Sequence, residues 1–150
     1  MLLVVLAFFA LFASINGEET GNVAFTASID EFKTIGANTV VKFTKVFTNY
    51  GNAYNSLTGV FTASKTGLYV FHFHALARHN SGFWFCLYHN EVCLIKAHGK
   101  VPNAFGMGGN TIVLRVKSGE RVYVKTASAS NLQGDGNGQY ATFTGYLISL

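Results

Sequence analysis

Tyr69, Phe71, Phe73 and Ala75 alternate with Val70, His72, His74 and Leu76 in the run GLYVFHFHALA, and no other feature constrains the chain so much. In an extended strand successive side chains point to opposite faces, so the large rings share one side. Burying one such side chain contributes roughly 1.5–3 kcal/mol. Together they can anchor a small domain's core, and that face must be packed. The preceding segment, FTKVFTNYGNAYNSLTGVFTA from Phe43 to Ala63, is also aromatic-rich and strand-like, and Ser64-Lys65-Thr66 joins the two.

Sixteen glycines, seven tyrosines and fourteen phenylalanines accompany many Val and Thr. Long helix-forming stretches are absent, so an all-β chain is expected. Turn signals cut it into short strands. Asn49 to Asn55 is polar and Gly-bearing, Lys117-Ser118-Gly119-Glu120 reads as a tight hairpin turn, and Gln133 to Gly138 as a longer loop. Thr111 to Val116 and Arg121 to Ala127 alternate on either side of the tight turn and are expected to pair antiparallel. About eight to ten such strands make a sandwich or a barrel.

Met1 to Ala13 is almost uninterrupted Leu, Val, Ala and Phe, with no charged side chain before Glu18. An apolar run of about 12 residues suits the core of a secretion signal and falls short of the ~20 that a membrane span needs. Residues 1–17 are therefore expected to be a cleaved signal peptide, with no membrane span. About 130 residues remain, enough for one domain to bury a core without metals or several disulfides. The formal net charge is +4, and Lys33, Lys42, Lys45, Lys65, Lys96, Lys117 and Lys125 sit singly among apolar residues. That is the pattern of solvated strand faces, not of a basic run tracking nucleic acid, so no nucleic-acid partner is expected. Attraction to acidic glycans is the alternative use for those charges. Nucleophile-elbow, Walker-type and His-Glu-x-x-His patterns are missing, and only seven carboxylates are spread over the chain. A binding protein is expected in preference to an enzyme.

Phe43, Asn49, Tyr54, Phe61, Gly67, Tyr69, Phe71 and Phe73 fall at the spacing of the signature of the complement C1q globular-head family, with every position filled. Val23 to Ala27 (VAFTA) resembles that family's first strand and Thr142 to Ile148 (TFTGYLI) its last. The resemblance implies a two-sheet antiparallel jelly-roll sandwich of about ten strands, like that of the tumour necrosis factor superfamily, over residues 18–150. It also implies a secreted, extracellular homotrimer in which Val70, His72, His74 and Leu76 line the contact between copies. A zinc site at His72-x-His74 is the competing reading, since residues two apart on a strand share a face. Nothing nearby in sequence supplies a third ligand, so no metal is expected. Several family members bind calcium through acidic loops, but the corresponding stretch here, Ala97 to Gly109, holds no carboxylate, and such ions prefer charged oxygen ligands. Asp135, with Asn131, Gln133 and Asn137, is a weak substitute. No cofactor is expected.

Cys86 and Cys93 lie in Phe83 to Ala97 (FWFCLYHNEVCLIKA), which reads as two strands around a turn near His89-Asn90-Glu91. A turn centred on His89-Asn90 sets the cysteines directly opposite one another. Centred on Asn90-Glu91, as the family's usual Asn-Gly turn would suggest, it makes them diagonal neighbours that bond less readily. In a secreted chain with two cysteines a disulfide is expected, and two buried free thiols are the alternative.

No collagen-like repeat precedes the first strand, so the chain is similar to the stalkless family members of marine invertebrates. That likeness implies a lectin-like, pattern-recognition protein of innate immunity that binds microbial surface carbohydrates or lipopolysaccharide and agglutinates cells. The alternative is a trimeric signalling or matrix protein that engages a protein receptor. The expected ligand residues are Arg78, His79, Trp84, His98, Lys100 and Asn103. An indole stacks on a sugar's apolar face, and the others donate to hydroxyls or anionic groups. The plainer reading places Trp84 in the core and the charges in solvent.

Overall fold

The computed structural model describes residues 22–150, so the expected signal peptide lies outside the described residues. The strands are β1 (Ala24–Ile29), β2 (Lys33–Ile35), β3 (Lys45–Tyr50), β4 (Tyr54–Asn55), β5 (Val60–Thr62), β6 (Gly67–Leu76), β7 (Gly82–His89), β8 (Val92–Lys100), β9 (Met107–Val116), β10 (Arg121–Thr126), β11 (Ser130–Leu132) and β12 (Ala141–Ser149). Two five-stranded sheets, ordered β3-β1-β12-β6-β9 and β4-β5-β10-β7-β8, face each other, and β2 and β11 form a small ribbon. Every pairing between strands is antiparallel.

The alternation in β6 has the consequence expected of it. Tyr69, Phe71 and Phe73 are each 0% exposed. Phe61, on β5 of the opposite sheet, meets Tyr69 and Phe71 edge to face with ring centroids 5.5 and 5.2 Å apart, the geometry that aromatic quadrupoles favour. Phe25 stacks on Tyr54 at 4.7 Å and meets Phe143 edge-on at 4.9 Å, so one ring cluster ties both sheets together. Gly145 on β12 leaves room for it, because a Cβ there would lie 2.5 Å from the Phe25 ring and 2.6 Å from that of Phe71.

The segment from Phe43 to Ala63 is divided at the turn expected over Asn49 to Asn55, with β3 in the first sheet and β4 and β5 in the second. Asn49 and Tyr54 are signature positions that hold its bend. The Asn49 side-chain amide donates to Tyr54 O at 2.8 Å, and its carbonyl accepts from Tyr54 N at 3.1 Å. The expected hairpin across Lys117-Ser118-Gly119-Glu120 is not formed. The turn is tight, with Glu120 N donating to Lys117 O at 3.0 Å, but β9 pairs with β6 in one sheet and β10 with β5 and β7 in the other. Alternation fixes which face of a strand is buried and says nothing of the partner, and a short turn can bridge sheets as well as hydrogen-bonded neighbours. A second crossing, Ser64-Lys65-Thr66, runs alongside. Ser118 N donates to Thr66 Oγ1 at 3.0 Å and Ser118 Oγ to Ser64 O at 3.1 Å.

The β7–β8 hairpin turns at Asn90-Glu91, with His89 opposite Val92. Cys93 therefore faces Tyr88 while Cys86 faces Lys96. This is the diagonal arrangement, yet Cys86 and Cys93 form a disulfide with Cα atoms 5.9 Å apart. Diagonal pairs ordinarily lie about 7–8 Å apart. Here the register shifts between Leu87 and Tyr88, leaving Leu94 as an extra residue, and the added local twist of such a bulge draws the pair together.

Candidate functional site

The expected ligand residues fall into two adjoining groups at one end of the sandwich. Arg78 and His79 follow β6 in a turn closed by Ser81 N donating to Arg78 O at 2.9 Å. Asn80 occupies that turn at φ 57°, and its side-chain carbonyl accepts from Asn103 N at 2.7 Å. The bond clamps the loop after β6 to the loop after β8, so Arg78, His79 and Asn103 share one rim. Phe32 and Phe105 complete it. The Arg78 guanidinium lies 5.3 Å from the Phe32 ring centroid, and His79 meets Phe105 edge-on at 5.5 Å. Both phenylalanines are half exposed, and sequence reasoning passed over them. Their available signal was an aromatic in a polar or Gly-bearing loop, where no core pattern needs one.

Trp84, His98 and Lys100 stand next to this rim on the outward face of the second sheet. Trp84 pairs with His98 in the register, and Gly82 with Lys100. Trp84 is half-buried rather than core. Its six-membered ring occupies the space a Cβ of Gly82 would take, and Lys100 Nζ sits 5.9 Å from the ring centroid. The indole thus carries a lysine over one face. In the next row of the same face Cys86 separates Lys125 on β10 from Lys96 on β8. Lys125 Nζ lies 5.4 Å from the Tyr88 ring centroid, and Tyr88 stacks on Tyr123 at 5.4 Å.

The residues expected at a contact between copies lie on the outward face of the first sheet, as alternation requires. Tyr50, Ala24, Tyr146, Val70 and Val113 form one row across its strands, and Thr48, Thr26, Thr144, His72 and Thr111 the next. Neighbouring strands already cover Val70. The exposed apolar surface of this face comes from flanking strands, chiefly Val113 at 54% and Met107, which faces Leu76, at 68%. His72 and His74 do share a side, but each has other work. His72 Nδ1 is 2.9 Å from Thr111 Oγ1, and the His74 ring fills the space above Gly109. Among the described residues no group of three or more His, Cys, Asp or Glu is placed to hold a metal ion.

The Asp135 loop uses its carboxylate internally. Oδ1 accepts from Gly138 N at 2.5 Å and Asn137 N at 2.9 Å, and Oδ2 accepts from the Tyr140 hydroxyl at 3.2 Å. The Gly138 and then the Asn137 amide hold this carboxyl below the usual aspartate range. A groove of about 620 Å³ lies away from all of these groups, lined in part by Asn52, Asn55, Thr58 and Arg121. Its polar side chains are largely spent. The Asn55 carbonyl caps its own turn, and Arg121 pairs with Glu91.

Two facing antiparallel sheets, with first and last strands adjacent in the middle of one and crossings between sheets at one end, define an all-β jelly-roll module. The chain belongs to the C1q domain family, whose model matches residues 24–148. Among solved structures, the globular domain of zebrafish complement 1qA protein is similar, at 22% identity and a TM-score of 0.71, over 84% of this chain and 97% of that one. Eiger TNF from S. frugiperda is similar at 11% identity and a TM-score of 0.63, over 85% and 91% of the two chains. Murine APRIL follows at 12% and 0.62, over 85% and 100%. These likenesses speak for the fold. Among the described residues, no helix is long and apolar enough to cross a membrane.

Proposed function

We propose that this chain is a secreted, non-enzymatic recognition protein of innate immunity, which binds carbohydrate or lipopolysaccharide on microbial surfaces and works as a homotrimer. The observation that carries the reading is the convergence of Arg78, His79 and Asn103 on one rim beside Trp84, His98 and Lys100. These are donors to hydroxyls and anionic groups, set on a rigid sandwich and flanked by aromatic rings. Self-assembly is supported by the apolar strip on the outward face of the first sheet, a surface that copies of the chain would cover in one another. Its worth is multivalency, because weak sugar affinities become useful avidity when linked copies bind one surface together.

A microbial glycan array probed with and without chelator tests the reading. Wild-type protein should bind a subset of microbial glycans, with R78A/H79A binding more weakly. Absence of binding to every microbial glycan would move the assignment to a receptor-binding signalling or matrix protein, for which the exposed Phe32 and Phe105 would be the natural contacts.

A further inference from the structure

Cations scattered in the sequence are gathered by the fold. Lys96 and Lys125 belong to strands on either side of β7 and face the same row, roughly 10 Å apart at two strand spacings. His98 and Lys100 continue along β8 on the same side, each roughly 7 Å further on. Every described side-chain carboxylate has a partner of its own. Asp30 pairs with Lys45, Glu31 with Lys33, Glu91 with Arg121 and Glu120 with His89, while Asp135 is bonded within its own loop. Glu91 does reach this face, accepting from the Tyr123 hydroxyl at 3.4 Å, but among the described residues no salt bridge takes Lys96, Lys100 or Lys125.

The charges are also held in place. Trp84 supports Lys100 and Tyr88 supports Lys125, and a cation resting on a ring is restrained before any ligand arrives. Lysines on an edge strand such as β8 also deter sheet-to-sheet pairing, but that role does not explain Lys125, which lies on an interior strand. We infer that Lys96, Lys100 and Lys125, with His98, form a site for an acidic polysaccharide whose carboxylate or sulfate groups lie along β8. A single-stranded nucleic acid fits less well. Its bases need open aromatic faces, and here lysines or a neighbouring tyrosine occupy the rings.

The inference rests on the carbohydrate-recognition reading for its class of ligand but is tested without microbes. Wild-type protein is titrated with heparin, dextran sulfate and neutral dextran at several salt concentrations. Binding to the two acidic polymers alone, weakening with salt, is expected. K96A/K100A should bind about tenfold more weakly, K125A should also weaken binding, and K96R/K100R should retain it. K65A/K117A removes the same net charge from the crossing loops at the opposite end and should bind as wild type. Thermal midpoints establish that the variants fold. Equal weakening in K96A/K100A and K65A/K117A would reduce the effect to net charge and overturn the site. Duplex or single-stranded DNA bound as tightly as heparin, and lost in the same variants, would overturn the polysaccharide assignment. Binding of acidic polymers without any microbial glycan would sustain this site and remove the microbial reading. Acidic-polymer binding untouched by K96A/K100A would remove this site and leave the microbial reading standing.

Discussion

The Tyr54 hydroxyl closes a ring with the backbone of Phe43, donating to its carbonyl at 3.1 Å and accepting from its N–H at 3.2 Å. Both residues are buried, and among the described residues that amide and carbonyl have no other partner. In Y54F they would stand buried and unpaired, at a cost of about 1–3 kcal/mol. Urea unfolding should show a lower midpoint with an unchanged slope, and a wild-type midpoint would mean the bridge contributes nothing. Burial also pushes the Tyr54 hydroxyl up to about 12, against the smaller opposing effect of the Phe43 backbone. The unfolded chain therefore loses that proton first, near pH 10. Stability should be intact below about pH 10 and fall as pH rises towards 12, less steeply in Y54F.

Acid acts through a different group. The Glu120 carboxyl is held below its ordinary range, first by the backbone N–H of Lys117 and then by His89; Lys117 N and His89 Nε2 each lie 2.8 Å from its Oε2. A depressed folded value means that this contribution is present above about pH 4.5 and lost as pH falls through the folded value. E120Q should flatten the stability profile between pH 6 and 3, read from urea midpoints. A profile as steep as wild type would assign acid sensitivity to other groups.

The disulfide closes a short loop, at a sequence separation of 7, for which chain-entropy arguments give about 2–3 kcal/mol. C86A/C93A should fold and lose about that much. Intact mass under non-reducing conditions should be two hydrogen masses below that of the reduced chain. Unlinked thiols in freshly secreted protein would refute the bond.

Val113 is 54% exposed on the outward face of the first sheet, so a charge there costs the single chain little. In a closed contact between copies it would be desolvated and unpaired. Light scattering should give a trimeric mass for the wild type and a monomeric one for V113K, with unchanged circular dichroism. A wild-type monomer would remove the assembly reading.

How much was legible in the sequence follows from the range of each signal. The β6 face was readable because period-2 alternation is local, and Phe43 to Phe73 carries a family spacing that the matched C1q model bears out. The pairing of β9 and β10 was misread because partner choice depends on residues far along the chain. Arg78, His79 and Asn103 do meet, since loops flanking adjacent strands end at one rim. Lys96 and Lys125 went unlinked because the register uniting them spans a bulged hairpin and a third strand. That Lys100 rests on the indole is local geometry that no residue spacing carries.

β12 lies between β1 and β6, so the middle of the first sheet is supplied by the strand synthesised after all the others described. Until it emerges, β3-β1 and β6-β9 are two ribbons with bare facing edges and no strand to join them. The nascent chain must then wait, sheltered from neighbours that offer the same edges. A stop codon ahead of Ala141 would leave an aggregating product, not a shortened binder.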